Sequence, residues 1–187
     1  MTFDPFAGGA LVKGDHDTLV ANLAGYAADA CIHPSRICTP LANQCSPPEV
    51  EYIRQFNRHR AEGVIHGLCY VGASVVESDE HMSALAGALV RNFIRARVLT
   101  VGTVLDLLTA GNDPSVTCLL IPNFFVSKMN GGGVAPWQIP ALLDLLLARQ
   151  RDGLQTIIYA SELTQLDKEY GLAFGRLVGN NFKIVTL

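Results

Sequence analysis

The side chains best equipped for chemistry fall into three groups. Glu77, Asp79, Glu80 and His81 stand within five residues. They read either as an acid–base cluster or as the acid-rich first turn of a helix, where the helix dipole favours carboxylates. Cys31, Cys38 and Cys45 recur every seven residues, with His33 beside them. They form either a metal knuckle or three free thiols. Zinc sites usually hold two cysteines two to four residues apart, and no such pair is present, so no metal is expected. The third group is basic: Arg54, Arg58 and Arg60 in one segment, Arg91 and Arg95 in another, and Lys128. These are candidate DNA contacts or ordinary solvated helix faces. The chain's formal net charge of −3 gives no general attraction for nucleic acid, so any contact would be local. The five histidines are scattered, with neither an H-E-x-x-H nor a G-x-S-x-G motif. His66 lies in an apolar run and reads as a core histidine. Cys69 and Cys118 lie in similar runs and read as buried thiols.

The elements that must position these groups follow from the apolar pattern. The chain has 187 residues, of which 49% are hydrophobic and 17% charged, enough for one compact domain without disulfides. Residues 1–46 are irregular, with a helical pattern over 17–30. Ser46-Pro-Pro-Glu49 is a helix start: Ser46 caps, Pro47 takes the first helical position and Glu49 completes a capping box. That helix is expected to reach residue 62 and stop at Gly63. Buried strands are expected at 64–71, 98–101, 115–121, 156–160 and 182–187. Between them fall a loop at 72–78, helices at 80–97, 103–110 and 137–151, one or two helices over 162–178, and a long glycine-rich loop at 122–136. Apolar strands alternating with helices imply a five-stranded parallel sheet covered on both faces, a three-layer αβα sandwich. The division is an extension over 1–46 and a domain over 47–187. No secretory leader or membrane span is apparent, and the thiols suit the cytoplasm. Trp137 follows the glycine-rich loop directly. It is either an exposed docking residue or, as is ordinary, a buried cap on the next helix.

A strand ending in Gly72, a loop and a long helix stand where a phosphate-binding loop belongs, and the following buried strand stands where a magnesium-positioning acid belongs. In this order, residues 50–187 resemble the ATPase domain of the DnaC/IstB-like helicase loaders and transposition helpers, within the RecA/AAA+-like P-loop fold. The segments carrying the resemblance are FNRHRAEGVIHGLCYVG, HMSALAGALVRNFIRARVLTVGTVLDLL, IPALLDLLLARQRDGLQTIIYAS and YGLAFGRLVGNNFKIVTL. The resemblance places a sensor residue near Ser161 and an arginine finger at Arg176, which would act on a neighbouring subunit's nucleotide.

The departures from that family bear on activity. A working loop needs G-x-x-x-x-G-K-[ST], with glycines that turn N–H groups to phosphate and a lysine that neutralises it. Here only Gly72 survives, and no Lys or Arg stands between Gly72 and Met82. Glu77, Asp79 and Glu80 are expected to occupy the phosphate position instead, where each like-charge contact at about 5 Å costs roughly 1–3 kcal/mol. Pro122 and Asn123 replace the magnesium-positioning acids. The expectation is a pseudo-ATPase with no catalytic residue and no cofactor. It would bind an active ATPase, a helicase or copies of itself as a homo- or hetero-oligomer, with single-stranded DNA as a further partner. The alternative is a scaffold subunit with no nucleic-acid role.

Overall fold

The computed structural model describes residues 4–128 and 132–187. Residues 129–131 of the expected glycine-rich loop lie outside them. Five parallel strands, β1 (Gly67–Val71), β2 (Ala96–Val98), β3 (Cys118–Phe125), β4 (Gln155–Ala160) and β5 (Phe182–Thr186), form one sheet in the order β2-β3-β4-β1-β5. Side chains alternate along each strand, so the core has two layers. Leu68, Tyr70, Leu120, Ile157 and Tyr159 face one way. Cys69, Leu119, Ile121, Ile158 and Ala160 face the other. The expected three-layer αβα sandwich with a five-stranded parallel sheet is present.

The first layer is closed by α6 (Val75–Arg91), together with α4 (Pro47–Arg54) and α5 (Phe56–Glu62). The second is closed by α7 (Val101–Thr109), α8 (Ile139–Arg151), α9 (Leu163–Tyr170) and α10 (Leu172–Asn181). This division follows from right-handed crossovers: the β1-to-β2 connection runs one way along the sheet, and the later connections run back. Within the second layer, the buried Arg149 guanidinium donates to Thr156 Oγ1 and to the carbonyls of Pro114, Val116 and Gln155, tying α8 to the strand starts.

Several boundaries differ from the sequence reading. The helix expected over 47–62 is interrupted at Gln55, so Arg54 and Arg58 lie on consecutive helices. Its stop is as expected, with Gly63 in the left-handed region at φ 63°. The long helix begins at Val75 and ends at Arg91; Phe93 then adopts φ 57° in the turn to β2. β3 continues through Pro122 to Phe125. Its pairing with β4 slips between Ile121 and Phe125, a bulge that accommodates a proline with no N–H to give.

Residues 4–46 form α1 (Asp17–Ala21), α2 (Leu23–Ala30), α3 (Ser35–Cys38) and a 3-10 turn at Leu41–Asn43. Leu11, Leu19, Ala27 and Ile37 make a small core with Val90 of α6. The small side chains of α6 let α3 approach closely. A Cβ on Gly87 would lie 2.4 Å from the Arg36 carbonyl oxygen. Among the described residues, no helix is long and apolar enough to cross a membrane.

Candidate functional site

The corner beyond β1 is where the resemblance implies a phosphate-binding loop. The connection from β1 to α6 is three residues, Gly72-Ala73-Ser74, in place of the expected loop over 72–78. Ser74 caps α6, its Oγ accepting the Glu77 N–H at 3.1 Å. Gly72 has a packing reason to be glycine: a Cβ there would lie 3.0 Å from the Leu187 carbonyl oxygen. Its own carbonyl accepts the Tyr159 hydroxyl at 2.6 Å.

The acidic residues do not gather at this corner as expected. Glu77 lies exposed in the first turn of α6, while Asp79 and Glu80 belong to the second turn. Asp79 lines a cleft of about 560 Å³ shared with Arg36 and His33 of the extension. Burial raises its pKa, with Arg36 acting in the opposite direction. Only Glu77 of the three therefore occupies the helix start. His81 does not pair with Asp79 or Glu80 either; its partner is Glu49.

Pro122 and Asn123, where the resemblance implies magnesium-positioning acids, make structural bonds. Asn123 Oδ1 accepts the Val101 N–H at 2.8 Å, satisfying a free donor at the start of α7. The Pro122 carbonyl accepts the buried Ser78 hydroxyl at 2.7 Å, linking β3 to α6. Ser161 Oγ accepts the Ser127 N–H at 3.2 Å, and the Ser127 hydroxyl donates to Glu169 at 3.0 Å. The sensor position thus fastens the segment after β3 to α9.

Arg176 is exposed on α10. The six candidate DNA contacts do not share one face. Arg58 and Arg60 precede β1, and Arg95 precedes β2, at the amino ends of the parallel strands; Lys128 follows β3 at the opposite end. Arg54 lies near Glu51 at 3.9 Å, Arg58 pairs with Glu62 at 2.7 Å, and Arg60 donates to the Gly153 carbonyl. Arg91 is half-buried and donates to the Ile37 and Thr39 carbonyls at 3.3 and 2.8 Å, so it anchors the extension. Arg95 is exposed and lines a cavity of about 390 Å³ with Arg97, Tyr26 and Phe93. Trp137 is 73% exposed, against the ordinary outcome of a buried cap.

The alternative ligand set of Cys31, His33, Cys38 and Cys45 is not assembled. Cys31 is exposed, Cys38 is buried, and the His33 ring bonds Ser35 Oγ. Among the described residues, the group of three metal-binding side chains is Cys45, Glu49 and His81, whose ligand atoms all lie within 4.8 Å of one another. Glu49 is fully buried at the start of α4. Its Oε1 accepts the Tyr70 hydroxyl and contacts His81 Nδ1 at 2.7 Å; its Oε2 accepts the Ser46 N–H at 2.7 Å and the Ser46 hydroxyl at 2.5 Å. Burial pushes the Glu49 carboxyl up, but the bonds from Ser46, Tyr70 and His81 outweigh it and hold it below the ordinary value. Burial and the Glu49 carboxylate both push the Cys45 thiol up. The capping box was legible in the sequence; the burial of Glu49 and the approach of His81 across 32 residues were not.

No protein-family model matches the sequence, and no curated protein sequence matches it. Solved structures do match the fold. A DNA replication initiation factor is 11% identical with a TM-score of 0.57, over 83% of this chain and 50% of that one. The replication initiator DnaA bound to AMPPCP and single-stranded DNA is 12% identical with a TM-score of 0.55, over 79% and 49%. Domain III of the Thermotoga maritima initiator DnaA is 14% identical with a TM-score of 0.57, over 83% and 68%. The chain thus spans about half the length of the first two. At these identities the likeness shows the fold alone, a five-stranded parallel αβα sandwich shared with those replication initiators.

Proposed function

We propose that this chain works by contact rather than turnover, as a non-catalytic AAA+-type adaptor in a DNA replication, transposition or mobile-element process. The observation that carries this reading is the three-residue link between β1 and α6. A phosphate cradle needs several successive N–H groups turned inward and a lysine. Three residues, one of them the helix cap, make a short link for such a cradle and include no lysine. The commitment of Asn123 to Val101 and of Pro122 to Ser78 supports the same reading, because magnesium there would have to displace structural bonds. Thermal shift and phosphate release with magnesium-ATP test it. The expected outcome is no stabilisation and no hydrolysis. A clear stabilisation that Glu77→Ala does not enhance would overturn it.

The partner in this reading is an active ATPase, a helicase or another copy of the chain. The resemblance to DnaC/IstB-like loaders and the initiator fold both favour such partners, and exposed Arg176 could complete a neighbour's nucleotide site. Single-stranded DNA enters as a further partner, as it does in the DnaA structure that holds it.

The scaffold alternative keeps a specific support, because Arg91 is tied to the extension and Lys128 lies at the opposite end of the sheet from Arg95. Binding of a labelled single-stranded oligonucleotide separates the two. The adaptor reading with DNA expects binding at low salt that weakens steeply as salt rises. No binding at low salt favours the scaffold.

A further inference from the structure

We propose that Cys45, Glu49 and His81 form a binding site for a zinc-class divalent ion that staples the N-terminal extension to the ATPase-like core. This inference is independent of the adaptor reading. The three residues come from separate places: Cys45 ends the extension, Glu49 lies in the first turn of α4, and His81 is on α6. Their ligand atoms are already gathered within 4.8 Å of one another. Zinc binds sulfur, nitrogen and oxygen at about 2.0–2.3 Å in a tetrahedron, which sets ligand-to-ligand edges of roughly 3.3–3.8 Å. The site therefore needs only a small adjustment: the 2.7 Å contact between His81 Nδ1 and Glu49 Oε1 opens, and the Cys45 sulfur draws in.

The ligand types select the ion. A thiolate and an imidazole favour zinc-class metals over magnesium or calcium, and one carboxylate is compatible with them. The charge balance favours a dication as well. Among the described residues, no lysine or arginine pairs with the buried Glu49 carboxylate, whose partners are Ser46, Tyr70 and His81. On binding, the thiol proton and any proton on His81 Nδ1 leave to solvent, and the metal takes their places. Ser46 still holds the second carboxylate oxygen through its N–H and hydroxyl, which fixes the orientation of the first. His81 is partly exposed, so the fourth position is reachable by water.

The alternative ligand set of Cys31, His33, Cys38 and Cys45 shares only Cys45, which makes the two separable. The full chain, stripped with a chelator, is titrated with cobalt and then with zinc. One equivalent of cobalt should bind with a thiolate-to-cobalt charge-transfer band, and zinc should displace it and raise the melting temperature. Cys45→Ser should abolish the band. His81→Asn should weaken affinity by more than about 100-fold, beyond the roughly 10–100-fold typical of an outer-shell partner. Cys31→Ser should change neither. Circular dichroism of each variant checks that it folds, and His81→Asn, altering a partly exposed side chain, serves if Cys45→Ser does not. Absence of the band, its survival in Cys45→Ser, or its loss in Cys31→Ser with retention in His81→Asn would each overturn the proposal.

Discussion

Two residues apart at the end of β1, Tyr70 and Gly72 open onto different surroundings. Beyond Gly72, four neutral polar side chains are bonded within the chain, with the Glu77 carboxylate exposed beside them: Ser74 to Glu77 N–H, Asn123 to Val101 N–H, Ser78 to the Pro122 carbonyl, and Ser161 to Ser127 N–H. Beside Tyr70, the junction with the extension buries an ionisable carboxylate against an imidazole and next to a thiol. In the first region these side chains already have partners within the chain. The second holds charge in a place where charge is expensive unless it is paired. A buried ionisable cluster thus stands where the extension is attached.

The largest expected difference between the two regions is in stability. Glu49→Ala strands the Tyr70 hydroxyl and the Ser46 N–H and removes the partner of His81, so it should cost about 3–5 kcal/mol. Urea denaturation measures it. A loss below about 1 kcal/mol would show that the junction is no more demanding than the corner, and the contrast would fail. Gly87→Val is expected to have the next effect, about 1–3 kcal/mol, because its side chain enters the space of the Arg36 backbone. The loss should fall on the extension. Limited proteolysis should cut within residues 4–46 while the sheet domain survives; uniform digestion would mean that the two unfold together.

These regions were not equally legible in the sequence. The sheet and its five strands follow from local pattern: apolar runs separated by helix signals. Local pattern also placed Ser46, Pro47 and Glu49 at a helix start. It could not show that Glu49 is buried, because burial depends on Tyr70 and His81 arriving from β1 and α6. The same limit misplaced Asp79. In one dimension it is a neighbour of Glu77 and Glu80; on a helix starting at Val75 it turns towards Arg36. Pro122 ended the expected strand because proline breaks a ladder, and only the paired strand reveals the bulge that carries β3 past it.

A pH series sharpens the comparison on the α5 side of β1, where His59 and His66 are buried and the corner beyond Gly72 has no counterpart. Burial lowers both pKa values. For His59, Lys183 and Arg58 add to the lowering while Glu62 and Glu51 oppose it; for His66, the Gly63 backbone opposes it. Both rings bind protons more readily in the unfolded chain. Their contribution to stability is therefore complete above about pH 6.5, the ordinary histidine value, and is lost as pH falls towards the lower folded values. With chelator present, the melting temperature should fall between about pH 7.5 and about pH 5.5. His59→Gln, which cannot titrate, should flatten that fall. An unchanged slope in His59→Gln and in His66→Asn would place the acid sensitivity elsewhere.

The smallest effect is expected at the corner itself. Asn123→Ala frees the Val101 N–H at the start of α7 and should cost about 1 kcal/mol, as loss of a helix cap does. Asn123→Asp keeps an acceptor at the same place and adds a negative charge at a helix amino end, so stability should stay within about 0.5 kcal/mol of the parent. It also restores one acid of the magnesium-positioning pair. Hydrolysis of ATP should nevertheless remain at background, because the restored acid still faces a three-residue link with no lysine and remains bonded to Val101. Equal losses in the two variants would show that the bond to Val101 is not what position 123 provides. Hydrolysis gained by Asn123→Asp would show that the corner lacks only charge and retains its geometry. In that case the contrast between the corner and the charged junction would concern side chains alone, and not the backbone that links β1 to α6.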